Sequence, residues 1–240
     1  MKIKNNAEIK AAARERLLGQ YGRVIFIQLF YIFLVLAIMM ASGSDTGNGI
    51  GAIILYYALS FIAYIILQVF MFGLCKTYLN ACCRMPYGVG SLFSGFGDNR
   101  VVVSAIMFAA LQFIFSVPGL VMAERYISSG DRIFEEYAMI ASSAATIVYY
   151  IVWLSFSQLY YVLLDFPEKS FGDCIKMSVW LMKGQKLKFV GMQISFFPLM
   201  LLSIPTLGLG LLWVMPYMQA SEASFYLSLT SGKAAGTDRY

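Results

Sequence analysis

The sequence predicts an all-α, polytopic transmembrane helix bundle of six spans, with cytoplasmic interfacial amphipathic helices. Three observations carry that prediction. Of 240 residues, 60% are hydrophobic and only 13% are charged, with a mean hydropathy of +0.71. Soluble domains carry about 25% charged residues, so this chain has too few polar groups to clothe a water-facing surface. Apolar runs recur at the ~20-residue length that crosses a hydrocarbon core of ~30 Å. Lys and Arg gather in alternate connections between those runs, which places them on one side.

Residues 1–23 form a cytoplasmic amphipathic N-terminal segment. Between Ala7 and Leu18, Ile9, Ala13 and Leu17 recur every fourth residue, with Lys10, Arg14 and Glu15 around them, and Gly19 ends the pattern. Such a helix is expected to lie among headgroups, its apolar stripe toward acyl chains. Four spans follow at about 24–41, 52–74, 101–121 and 138–164. The run 189–229 is too long for one crossing and is interrupted by Pro205, Gly208 and Gly210, which predicts two spans, about 189–204 and 209–229, joined by a turn. The first of these is short and calls for little tilt or a thin bilayer. Residues 230–240 remain as a cytoplasmic tail. Span one has a competing reading as a cleaved signal, because Ala41-Ser42-Gly43 are small. Its apolar run is longer than the ~7–15 residues of a signal core, which favours an anchor.

With the N-terminus inside, 16 of the 18 Lys and Arg residues fall on the cytoplasmic side, and only Arg125 and Arg132 fall outside. The positive-inside rule therefore places both termini in the cytoplasm. The net charge of +5 expresses this orientation and attraction to an anionic inner leaflet, with Arg14, Arg23, Lys183 and Lys188 as headgroup contacts. No nucleic-acid partner is needed to explain it. A membrane protein partner or a second copy of the chain remains open.

There is no histidine. That removes imidazole acid/base catalysis, Ser-His and Cys-His nucleophiles, and His-ligated metals. Cys75, Cys82, Cys83 and Cys174 all fall on the cytoplasmic side, as expected of reduced thiols, and their spacing matches no metal motif. The expectation is a protein without a catalytic set, metal or cofactor.

Phe171 to Met182 repeats the N-terminal theme, with Phe171, Ile175, Val179 and Met182 on one side, Asp173, Lys176 and Lys183 on the other, and Gly184 after them. Gly19-Gln20-x-x-Arg23 then Gln28 matches Gly184-Gln185-x-x-Lys188 then Gln193 at a constant offset of 165. A weaker third copy is Leu92-Phe93-Ser94-Gly95-Phe96 before Arg100. Spans three and five both end in Ser-aliphatic-Pro, at Pro118 and Pro205. Three hairpins, each entered from the cytoplasmic side through an interfacial element, are the expected arrangement. The competing explanation is that any span needs a helix stop and a basic anchor at its inner end.

The first five spans carry no mid-span charge, but each holds a glutamine: Gln28, Gln68, Gln112, Gln158 and Gln193. These could line a polar track, or they could bond helix to helix. Glu222 is a carboxylate inside an apolar run, either a proton or cation site or a structural partner for a nearby cation. Asp165 and Glu168 flank Pro167, where one helix stops and Ser170 can cap the next. The stretch Pro205 to Gly210 is either a broken transport segment or a tight turn.

Several motifs resemble one known family. They are Leu18-Gly19-Gln20-Tyr21-Gly22, the Leu92 to Phe96 motif, Val117-Pro118-Gly119, Asp165-Phe166-Pro167-Glu168, Met182-Lys183-Gly184-x-Lys186, Ile194-Ser195-Phe196, Thr206-Leu207-Gly208-Leu209-Gly210-x-Leu212-Trp213, Pro216-Tyr217 and Ala223-x-Phe225-Tyr226. Together they are similar to the bacterial, mostly Firmicute, membrane proteins grouped as domain of unknown function 975. The resemblance implies a multi-pass protein of the bacterial cytoplasmic (inner) membrane, and it supplies no substrate or site residue. The functional expectation is a non-enzymatic accessory or transport-related membrane module. The alternative is a small secondary transporter with its site near spans five and six, at Glu222 and among Gln28, Gln112 and Gln193. A membrane enzyme acting on lipid or peptide is disfavoured by the missing histidine and the lack of convergent carboxylates.

Overall fold

The structure, a computed structural model, describes residues 4–42 and 50–237. Within them the chain forms helices and no strand. The helices are α1 (Asn6–Leu17), α2 (Tyr21–Ser42), α3 (Ile50–Cys82), α4 (Asn99–Ser129), α5 (Arg132–Phe156), α6 (Leu159–Asp165), α7 (Phe171–Met182), α8 (Lys186–Ile194), α9 (Phe197–Leu202) and α10 (Leu211–Thr237), with 3-10 segments at Val89–Gly97 and Ile204–Thr206. Asp45 and the rest of the connection 43–49 lie outside the described residues, as do the chain ends.

Four helical stretches are long and apolar enough to cross a membrane: Tyr21–Ala41, Leu55–Cys82, Asn99–Met122 and Arg132–Asp165. They coincide with the four clear apolar runs. The expected fifth span, about 189–204, is instead split into α8 and α9 by a turn at Ser195-Phe196, followed directly by the 3-10 segment. The expected turn after it is present. Leu207 and Gly208 take positive φ (52° and 84°), Gly208 N–H donates to Ser203 O at 3.0 Å, and Thr206 Oγ1 accepts from Gly210 N–H. The expected sixth span becomes α10, 27 residues long, which continues through Pro216 into the region expected to be tail. Span three likewise does not end at Pro118. α4 carries that proline inside a 31-residue helix and meets α5 across Gly130, at φ 68°.

The two interfacial units match in three dimensions as well as in sequence. α1 and α7 each have 12 residues and begin at an extended N-cap, Asn5 (φ −68°, ψ 158°) and Ser170 (φ −66°, ψ 155°). Each stops at a glycine in the left-handed region, Gly19 at 80° and Gly184 at 77°, a conformation that costs a side chain about 1–2 kcal/mol. Gln20 N–H then bonds Leu17 O, and Gln185 N–H bonds Met182 O. Buried positions pair at the same offset: Ile9 with Cys174, Ala13 with Ser178, Leu17 with Met182, Val24 with Phe189, Ile27 with Met192. Compositional necessity alone would not reproduce caps, stops and buried faces together.

The faces themselves correct the expectation. The stripe Ile9, Ala13, Leu17 faces protein rather than acyl chains: all three are buried, and α1 packs chiefly along α10. In α7 the buried face is Cys174, Ser178, Leu181 and Met182, while Val179 and Trp180, both over 40% exposed, point away from the core. The third copy, Val89–Gly97, is a 3-10 segment against α3, with Leu92 buried and Gly95 seated near Val69 and Phe72.

A cyclic pattern results. Val89–Gly97 packs on α3, the closing helix of the first hairpin; α7 packs on α5 and α6, which close the second; α1 packs on α10, which closes the third. Each closing helix packs a triplet centred on a buried tyrosine, Thr77-Tyr78-Leu79, Tyr160-Tyr161-Val162 and Phe225-Tyr226-Leu227, with Tyr78, Tyr161 and Tyr226 at most 1% exposed. Tyr161 and Tyr226 stack with centroids 5.3 Å apart.

Two substitutions test this arrangement. A Cβ on Gly73 would collide with the backbone of Leu92, so Gly73→Ala should loosen the α3 joint and lower the melting temperature of the purified protein in detergent. Gly184→Ala has open space around its Cβ but the wrong φ, so it should cost only about 1–2 kcal/mol by equilibrium unfolding. Equal effects of the two would contradict the assigned joint.

Candidate functional site

The chemistry-bearing feature nearest the centre of the fold is a cavity of about 290 Å³ among α2, α3, α4, α5, α6 and α10. Its lining includes Tyr31, Tyr64, Gln68, Met71, Cys75, Phe108, Trp153, Phe156, Ser157, Tyr160 and Glu222. α10 brings Glu222 there because its neighbours Ser221 and Ala223 are packed into the core, leaving position 222 half-buried at the cavity wall. Gln193 of α8 donates from Nε2 to Glu222 Oε1 at 2.6 Å.

The hydroxyls in the wall are mostly engaged. Tyr160 Oη donates to Gln68 Oε1 at 3.0 Å, Tyr31 Oη to Met71 Sδ at 3.8 Å, and Tyr64 Oη shares a hydrogen bond with Tyr149 Oη at 3.4 Å. Ser157 Oγ donates to Leu154 O at 3.0 Å. What the wall offers an occupant is therefore one carboxylate and a set of aromatic rings. Two cavities adjoin this one: about 560 Å³, sharing Tyr64 and Trp153 and reaching Gln112 and Thr146, and about 520 Å³, sharing Trp153 and reaching Gln193 and Thr146.

The expected site residues divide. Gln193 and Glu222 are brought together. Gln28 is buried elsewhere, accepting from Tyr78 Oη at 2.9 Å, and borders a separate cavity beside α10. Gln112 is exposed on α4 and reaches only the outer cavity. Gln158 is buried with Oε1 lacking a partner. The aromatic walls were missed as a site, because Phe, Tyr and Trp are expected for packing and membrane belts; only their helical spacing toward one point could have hinted otherwise.

Among the basic residues, Arg14 and Lys183 are exposed, Arg23 is exposed over the Tyr87 ring at 5.6 Å, and Lys188 is half-buried. Lys10 is drawn into the protein: Nζ donates to Ser195 Oγ at 3.1 Å and lies 4.3 Å from the Phe196 centroid, and burial lowers its pKa from the ordinary lysine value. Arg100 serves as a clamp. It donates to Phe166 O and Lys169 O, both at 3.1 Å, and to Asp98 at 2.6 Å, so the basic residue of the second unit holds the loop that leads into α7. The Arg100 hydrogen bond holds the Asp98 carboxyl below its usual range. Ser170 caps α7 as expected, accepting from Asp173 N–H, and Asp165 accepts from Tyr226 Oη at 2.7 Å.

Four helices long and apolar enough to cross a membrane, in an all-helical chain, define a helical membrane-type protein. A family description, protein of unknown function (DUF975), matches residues 98–233, and the chain belongs to that family. No curated protein and no solved structure matches the chain.

The clamp yields a prediction. Arg100→Met should lower stability by about 1.5–3 kcal/mol, because it removes the charged donor shared by two backbone carbonyls and Asp98. A carboxylate whose folded pKa is depressed contributes stability above its unfolded value of about 4, and loses it as pH falls through the folded value. Asp98→Asn should therefore flatten the stability decline below about pH 4, measured by thermal unfolding. An unchanged acid limb would contradict the pairing.

Proposed function

We propose that this chain is a non-enzymatic, transport-related membrane module of the bacterial cytoplasmic membrane, with both termini inside and its solute site in the Glu222 cavity. One observation carries the reading. A carboxylate within a predicted span, fixed by the Gln193 amide, borders a space between hairpins instead of a solid apolar core. Such a group is costly to keep in a membrane protein, and functional pathways are where that cost is tolerated. The split of the expected fifth span supports the same assignment, since it is α8, the first half of that broken segment, that supplies Gln193. The four long apolar helices and the sequence asymmetry of Lys and Arg support the membrane placement and orientation.

An enzyme reading has one observation in its favour, because Cys75 borders the same cavity as Glu222. Cys75 is only 3% exposed, however, and the chain has no imidazole to take its proton.

The test is chemical access to the carboxylate. In native membranes at about pH 6, a water-soluble carbodiimide with glycine ethyl ester should modify Glu222, read by peptide mass spectrometry as a mass increment that Glu222→Gln lacks. Modification of the exposed Glu8 and Glu15 with Glu222 untouched would overturn the solute-site reading.

A further inference from the structure

We infer that the Glu222 cavity recognises a small organic ammonium ion. This inference rests on the transport-related reading of the same cavity and names the chemical class of its occupant. The first ground is the composition of the wall. Six aromatic side chains, Tyr31, Tyr64, Phe108, Trp153, Phe156 and Tyr160, surround a space that holds one carboxylate. Aromatic rings attract cations through their quadrupoles, and a desolvated aromatic enclosure is the usual receptor for an alkylated ammonium group, whose methyl or methylene surface is apolar while its charge is not.

The second ground is the lack of a cationic neighbour for Glu222. No Lys or Arg pairs with it among the described residues, and its one side-chain partner is the neutral Gln193, on Oε1. A carboxylate at the inner edge of a cavity without a cationic neighbour leaves the cation to be supplied from outside.

The third ground excludes hard metal ions as the preferred occupant. Calcium and magnesium need about six or more oxygen ligands. Among the described residues no group of three His, Cys, Asp or Glu side chains gathers anywhere. In this wall Gln68 Oε1 already accepts from Tyr160 and Ser157 Oγ already accepts from Gln158 Nε2, so Glu222 is the one anionic oxygen ligand it offers. Size sets the remaining limit. At about 290 Å³ the cavity lies at the lower end of the ~300–1,000 Å³ range of small-molecule pockets, so the occupant is a compact cation rather than a long-chain amine.

The experiment uses the full chain in detergent or nanodiscs with three probes: tetramethylammonium chloride, choline chloride, and 3,3-dimethyl-1-butanol, which has the shape of choline without its charge. Sodium chloride at matched ionic strength is the control. Two readouts are taken: protection of Glu222 from carbodiimide, and fluorescence of Trp153 in a Trp180→Phe, Trp213→Phe background. The expected result is saturable protection and a saturable fluorescence change with both ammonium salts, and neither with the alcohol or sodium. Glu222→Gln should weaken the fluorescence response by on the order of 30-fold or more. Trp153→Leu, which keeps the carboxylate, should weaken protection by roughly 3- to 30-fold. If Glu222 is labelled but no ammonium salt protects it, or sodium protects equally, the ammonium inference fails and the solute-site reading stands, with a proton or alkali cation as the occupant. If Glu222 is never labelled, both fail. Should Glu222→Gln not fold, the wild-type protection and the Trp153→Leu comparison still decide.

Discussion

The packing of α1 along α10 is the contact on which the rest of the arrangement depends. It joins the two ends of the chain. Ile9, Ala13 and Leu17 are buried, and full burial of an Ile or Leu side chain contributes about 1.5–3 kcal/mol. Polar contacts fix the register, Lys4 N–H to Ser228 Oγ at 3.1 Å and Arg16 to Ser224 Oγ at 3.3 Å, while Asn6 Nδ2 ties the start of α1 to Lys188 O of α8 at 3.0 Å. Without this contact the third hairpin would lack the interfacial element that the other two receive from the segment following them. α10, and with it Glu222, would then rest on its packing against α2, α3, α7 and α9, the Gln193–Glu222 hydrogen bond and the ring contacts of Tyr226 and Phe225.

The units are alike in frame and different in the chemistry placed on it. Gln28 and Gln193 occupy matching positions nine residues beyond matching glycines, Gly19 and Gly184. In the first unit the glutamine accepts from the phenol of Tyr78; in the third it donates to Glu222. The same divergence separates the basic anchors, since Arg23 lies exposed over a ring while Arg100 clamps a loop. Repetition explains how the fold is assembled, and the departures from it mark where function is concentrated.

Much of the frame was legible because its signals are local. Apolar runs of membrane-crossing length, a glycine stop with its following glutamine, Ser170 as a cap and the turn at Gly208 each depend on residues adjacent in sequence. What was not legible depends on partners distant in the chain. The stripe Ile9, Ala13, Leu17 is narrow enough to suit lipid or protein, and only α10 decides between them. The break at Ser195-Phe196 follows from tertiary placement: Phe196 is buried against Tyr217, at 5.1 Å between centroids, while its neighbours are exposed. The triplets centred on Tyr78, Tyr161 and Tyr226 are too short to stand out among 16 tyrosines until their common burial groups them. The cavity walls come from six helices, and no periodicity within one of them announces a shared enclosure.

Joining the chain ends is the central claim, and cross-linking them tests it most directly. In a variant with all four native cysteines replaced by serine, Lys4→Cys and Ser228→Cys should form a disulfide, because the Lys4 backbone nitrogen lies 3.1 Å from Ser228 Oγ and that proximity brings the two Cα atoms within bonding range. After oxidation in membranes and cleavage at a protease site inserted between residues 43 and 49, the two fragments should migrate together until reductant is added. Fragments that separate without reductant, or that are joined only between different chains, would contradict the closed arrangement of three hairpins.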